Sequence, residues 1–335
     1  MSYISIIKLG IKTIHRNWQL VLIQFASVIL SCISFFVVVG IPIFIAFVMF
    51  GLDMTEILRL KDLVSVFKGS AELLQRYFLM AIVIILSFLI YLSFIVVLWI
   101  FTIGGTIGII RNSILNETDR FTFRGFLNEG KTLFFPVFLF SSIISLIFLA
   151  LTFILGLLGG GAAAIIEAAK TYEATLALFL GVFFSLALLS IGIFLILITL
   201  SITTYGTANL SFNRSGTMDT LKETMRYLYS RPSAVGFYSA LLFGYMVIGF
   251  IVILVGSPLA LIPVLGPLFS LPYQLVAYAI QGYISLAMLS SVFHYYYSTA
   301  YLPQLPWSSE GPGTSQTTTD EQVPLPEQTD ETPQG

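Results

Sequence analysis

Six stretches of this chain, residues 18–50, 77–110, 133–166, 175–206, 235–266 and 268–293, contain no Asp, Glu, Lys or Arg. Each is long enough to cross a hydrocarbon core, which takes about 20 helical residues. In lipid every backbone N–H and C=O must be satisfied internally, so apolar runs without period-two alternation select helices over a barrel. The whole sequence points the same way: of 335 residues 57% are hydrophobic and 10% charged, against about 25% charged in a soluble domain. The fold class expected is therefore all-α, a polytopic transmembrane bundle of six spans near 18–50, 77–110, 133–160, 175–206, 235–257 and 268–298. Together these make a membrane domain over residues 1–301.

Orientation is read from Lys and Arg. Lys8, Lys12 and Arg16 precede the first span; Arg111, Arg120, Arg124 and Lys131 follow the second; Arg214, Lys222, Arg226 and Arg231 follow the fourth. The opposite side has only Arg59, Lys61, Lys68, Arg76 and Lys170, and the first four are matched by Asp53, Glu56, Asp62 and Glu72. Both termini are thus expected in the cytoplasm of a prokaryotic cell. The first apolar run is read as a retained helix, since it lacks the pattern of a short apolar core followed by a small-residue cleavage site.

Two segments beside spans read as amphipathic interfacial helices. In the first, Ile4, Ile7, Ile11, Ile14 and Trp18 form a stripe from which Lys8, Lys12 and Arg16 fall away. In the second, residues 217–230, Met218, Leu221, Met225 and Leu228 form the stripe, Thr217 is the expected cap, and Pro232 marks the break before the fifth span. Overlaying them exposes a threefold repeat. Ile7, Phe126 and Leu221 align, as do Lys12, Lys131 and Arg226, and Ile14, Leu133 and Leu228, without gaps. Each unit would be an interfacial helix followed by a transmembrane hairpin.

Several runs exceed what a flat crossing needs, so breaks are expected. Gly40 and Pro42 offer one in the first span, and Gly159, Gly160 and Gly161 could end the third. The proline-rich, uncharged stretch 256–272 is a short outer turn or a re-entrant one. From residue 302 the composition turns acidic and rich in Pro, Thr and Gln, which predicts a disordered cytoplasmic tail over 302–335.

Asp, Glu, Lys and Arg are missing from the centres of all six spans, which argues against ion coupling through intramembrane carboxylates. His294, in Val292-Phe293-His294-Tyr295-Tyr296-Tyr297, reads as part of an interfacial aromatic belt before a proton relay. With His15 the only other histidine and Cys32 the only cysteine, no metal site or disulfide framework is expected. Gln19, Gln24, Gln274 and Gln281 are read first as packing groups; Gln274 and Gln281, seven apart, make the best candidate for a polar stripe facing the bundle interior. The glycines at 104–108 and 156–161 lack the strand and the Lys-Ser or Lys-Thr ending of a phosphate loop. Asn116-Glu117-Thr118 and Asn213-Arg214-Ser215 match the glycosylation pattern by chance, on the predicted cytoplasmic side. Glu117, Asp119, Glu129, Asp219 and Glu223 are assigned to helix caps and intrahelical pairs with nearby arginines and lysines.

In Tyr205-Gly206-Thr207-Ala208, followed by Thr220-Leu221-Lys222-Glu223-Thr224-Met225-Arg226, a span ends in small residues and a short polar helix with spaced cations follows. The last span exits through Phe293-His294-Tyr295-Tyr296. This plan resembles a broad group of prokaryotic six-helix membrane proteins that includes the membrane domain fused to some glycerophosphodiester phosphodiesterases. The resemblance implies a six-helix membrane domain; it carries no catalytic residue, since only the acidic tail follows the last span.

The function expected first is a non-enzymatic scaffold, accessory or membrane-organising protein, with Lys12, Lys131 and Arg226 as lipid-headgroup contacts. Its partners would be the bilayer, anionic lipids in particular, and a membrane protein or second copy; no cofactor and no nucleic acid is expected. A transporter or permease component for a neutral or lipidic substrate is the alternative. An interfacial lipid enzyme ranks last, because no nucleophile, base and orienter can be assembled.

Overall fold

A computed structural model describes residues 2–50, 78–260 and 266–302. The 51–76 loop, the centre of the 256–272 stretch and the tail from 303 lie outside the described residues. Among those described, regular structure is entirely helical, and six helical segments are long and apolar enough to cross a membrane.

Helix α1 (Tyr3–Arg16) ends at Asn17, whose side-chain Nδ2 donates to the Thr13 carbonyl at 2.8 Å and so satisfies a helix-end acceptor. The first span comprises α2 (Gln19–Phe35), a π-helical turn (Phe36–Gly40) and α3 (Ile41–Phe50). The irregular turn falls where Gly40 and Pro42 predicted a break: proline has no N–H to give the preceding turn and crowds its carbonyl, and the ladder widens there. The second span is α4 (Phe78–Leu115), the third α5 (Phe123–Lys170) and the fourth α6 (Ala174–Asn213). The second interfacial helix, α7 (Thr217–Ser230), is followed by α8 (Pro232–Ala260) and α9 (Gly266–Tyr296), which closes in a π-helical turn (Tyr297–Tyr301).

Three expectations about helix ends need correction. Gly159, Gly160 and Gly161 do not end the third span: α5 runs through them to Lys170, because in lipid an unbroken ladder is the only way to satisfy the backbone. The interfacial segment of the middle unit is not a separate helix but the first turns of α5, capped by Thr122, whose hydroxyl accepts from the Gly125 N–H at 3.3 Å. Thr217 is not the cap of α7; Gly216 occupies that position and Thr217 is the first helical residue. Pro232 does stand at the break, as the first residue of α8, where its missing N–H leaves no intrahelical bond unmade.

The core is concentrated at one end. There Arg111 near the end of α4 meets Ser211 of α6, Phe212 of α6 meets Phe293 of α9, and the segments 107–110, 208–211 and 290–293 are buried at every position. Against each of these exits lies one interfacial segment, at equivalent positions. Gly108 on α4 meets Glu129 of α5, Asn209 on α6 meets Thr224 of α7, and Ser291 on α9 meets Gly10 of α1. At Gly10 and Gly108 the approach is so close that an added Cβ would collide with the neighbouring helix. The chain's first helix therefore docks on its last span, closing the three units into a ring. Ile14, Leu133 and Leu228 are all buried beneath this ring.

The apolar stripes of the two interfacial helices are divided between the bundle and the outer surface. Ile6, Gly10, Thr13 and Ile14 face the bundle, while Ile4, Ile11 and Trp18 are exposed beside Lys8 and Lys12. On α7, Thr220, Leu221, Thr224 and Leu228 face the bundle, and Met218 and Met225 are exposed with Lys222 and Arg226. Small residues and threonines take the inner positions because helices must approach closely to pack without a hydrophobic drive from water.

Candidate functional site

The apolar run of α4 stops at Ile110, and the next residue, Arg111, turns into the ring of helix ends. Its Nη1 donates to the Ser211 carbonyl of α6 at 3.0 Å and its Nη2 to Glu129 Oε1 of α5 at 3.0 Å. Asn112 accepts from Arg111 Nη2 at 2.7 Å and donates to the same Glu129 oxygen at 3.2 Å. The other carboxylate oxygen faces Arg214 at 3.9 Å, which caps α6 with a left-handed backbone, φ 49°. Arg111 and Glu129 are both buried. A buried charge with its partner removed is strongly destabilising, so this pair must be kept or lost together. Its hydrogen bonds join α4, α5 and α6, while Glu129 Oε2 is buried without a hydrogen-bond partner.

Around it the other polar groups also join elements. Thr13 of α1 is hydrogen-bonded to His294 of α9 at 2.9 Å. Arg16 donates through Nη2 to the Ser113 carbonyl at 3.0 Å and through Nη1 to the Glu117 carbonyl. Asn17 Nδ2 reaches Ser113 Oγ at 3.1 Å. Asn209 of α6 donates to Glu223 Oε2 of α7 at 3.1 Å, so Glu223 serves a helix-to-helix contact and not the intrahelical pair expected. Glu129 likewise departs from that expectation. The signal that could have found it is its place on the Phe126–Leu133 stripe: a carboxylate on an apolar helical face needs a partner from elsewhere.

The aromatic exit of α9 is packed inside and is not an interfacial belt. Tyr295 and Tyr296 are buried. Tyr295 stacks on Phe237 with ring centroids 4.7 Å apart, and Tyr296 meets Tyr227 edge-on at 5.3 Å. Tyr205 donates to the Ala234 carbonyl at 2.9 Å, and Tyr227 shares a 2.7 Å hydrogen bond with Thr299. Burial pushes the Tyr227 phenol up to about 12, outweighing the lowering effect of its Thr299 hydrogen bond, so it remains a neutral hydrogen-bonding group at physiological pH.

Above this hub, between α2, α4, α8 and α9, lies a cavity of about 600 Å³. Gln24, Ser27 and Ser31 line it from α2, Thr102 and Thr106 from α4, Tyr245 from α8, and Tyr278, Gln281 and Ser285 from α9. Of the sequence-derived polar stripe, Gln281 lines this cavity and Gln274 is exposed and does not. Lys12, Lys131 and Arg226 are all exposed, each at the same step from a buried residue of its unit. The serines and threonines of the cavity were not legible individually, since in an apolar span such residues equally often bond their own backbone, as Thr102 also does to the Leu98 carbonyl at 2.8 Å.

Comparison with known protein families, curated proteins and solved structures finds no match.

Proposed function

We propose that the protein is a non-enzymatic membrane-organising or scaffold protein of a prokaryotic cell membrane. In this reading its cytoplasmic face gathers anionic lipid through its interfacial helices. The observation that carries it is a face repeated between the first and third units. Ile4, Lys8, Ile11 and Lys12 on α1 occupy the same helical positions as Met218, Lys222, Met225 and Arg226 on α7, and all eight are exposed. Apolar side chains beside cations on one exposed face suit a helix lying in the headgroup region, with the former entering the acyl boundary and the latter meeting phosphate. The middle unit adds Phe123 and Lys131, also exposed. Each cation near an anionic surface contributes about 1 kcal/mol.

The test is lipid enrichment around the protein in nanodiscs of phosphatidylcholine mixed with phosphatidylglycerol, read by mass spectrometry of the retained shell. Phosphatidylglycerol should be enriched around the native protein and fall toward the bulk ratio in the triple variant Lys12→Gln, Lys131→Gln, Arg226→Gln. An unchanged ratio in that variant sinks the proposal.

The cavity favours a second reading, a transporter or permease component for a neutral or lipidic substrate. Solute flux in proteoliposomes that falls in Gln281→Ala and survives in Gln274→Ala would support it.

A further inference from the structure

We propose that the cavity between the first and third hairpins is a binding site for an uncharged glycerolipid with a free hydroxyl, of the diacylglycerol class. The proposal is independent of the headgroup contacts above, and either can fail without the other.

Thr106 and Thr102 lie five and nine residues before Arg111 along α4, which at 1.5 Å per residue places them about 8 and 13 Å from the charged hub. Ser285 and Gln281 lie nine and thirteen residues before His294, about 13 and 20 Å along α9. This is hydrocarbon depth, where a charged headgroup is costly without a partner. Every residue lining the cavity is uncharged, and Arg111, the nearest cation along α4, is held by Glu129 and Ser211.

Thr106 is 4% exposed and lines the cavity, and its hydroxyl is buried with no hydrogen-bond partner. A buried hydroxyl left unpaired in an apolar medium is unfavourable, and a turn of the Thr106 side chain toward the cavity would pair it with a ligand hydroxyl or ester. Ser27 and Thr102 share a 3.1 Å hydrogen bond on the same wall, and the amides of Gln24 and Gln281 offer donors and acceptors across the space. Val28 and Trp99 border the cavity and are exposed on the outer surface, Trp99 at 68%, so the mouth opens sideways into the bilayer. About 600 Å³ is within the range of small-molecule sites; it would take the glycerol ester region and leave the chain ends in lipid.

The experiment uses the full chain in phosphatidylcholine nanodiscs with a photoactivatable, clickable diacylglycerol, and a phosphatidic acid probe with the same chains as comparison. We expect diacylglycerol adducts within 24–32 and 99–106 and few from phosphatidic acid. Ser285→Phe should remove them by filling the space, and the near-isosteric Thr106→Val should reduce them about fivefold, the worth of one hydrogen bond. Equal labelling by phosphatidic acid would show that any acyl chain fills a gap. That result, adducts elsewhere only, or labelling indifferent to Thr106→Val would overturn the proposal. Thr106→Val keeps the test decisive should Ser285→Phe fail to fold.

Discussion

Glu129 takes the place on its helix that Gly10 and Thr224 take on theirs, and it alone of the three carries charge there. With Arg111 bonded to it and to Ser211, removal of either partner should strand the other in a buried site. Glu129→Ala is therefore expected to cost about 3–5 kcal/mol, while the apolar double replacement Arg111→Met with Glu129→Leu costs much less. Denaturation of the two singles and the double in mixed micelles gives the coupling directly. A double variant as unstable as the sum of the singles would refute the pairing. Arg214 is more exposed and 3.9 Å away, so Arg214→Gln should fall below about 1 kcal/mol.

At the element scale, α7 divides its apolar residues between two surfaces. Leu221 and Leu228 are buried against the bundle, and Met218 and Met225 are exposed. Leu228→Ala should destabilise the fold by about 2–5 kcal/mol, whereas Met225→Gln should leave thermal stability nearly unchanged and weaken lipid retention; equal effects on stability would mean that both faces are packed. On α5 the glycines 159–161 sit mid-helix, and a Cβ added at any of them meets nothing within 4 Å. Gly160→Ala should accordingly stabilise by about 0.5–1 kcal/mol through helix propensity. A destabilised Gly160→Ala would show that another helix approaches there. The docking of α1 rests on Gly10, so Gly10→Leu should expose α1 and the end of α9 to hydrogen exchange together, as one unit.

For the whole molecule, the ring of helix ends gathers α1, the 116–122 loop, the 214–216 loop, α7 and the end of α9 at one end. The turn at 171–173 caps the other end of the α5–α6 hairpin. On a Cys32→Ser background, single cysteines at Asp119 and Tyr229 should label from the same side of the membrane and Thr171 from the opposite one. Labelling of Asp119 and Tyr229 from different sides would break the ring and the threefold plan with it.

Helix class, the number of spans and the positions of the repeat were legible because they depend on local quantities. Absence of charge over about 20 residues dictates a span, and the same internal spacing in Ile7, Lys12 and Ile14, in Phe126, Lys131 and Leu133, and in Leu221, Arg226 and Leu228 dictates the unit. Thr217, the glycines at 159–161 and the aromatic exit after Val292 depart from the sequence expectation for the opposite reason. Their roles depend on what stands across from them, and sequence spacing carries no information about that. Which side of α1 packs, which partner Glu129 finds, and which hydroxyls line a common space were decided only by the tertiary structure. In a membrane the apolar residue faces lipid as readily as protein, so hydrophobicity selects the helix and only close packing and polar pairing select its inner face.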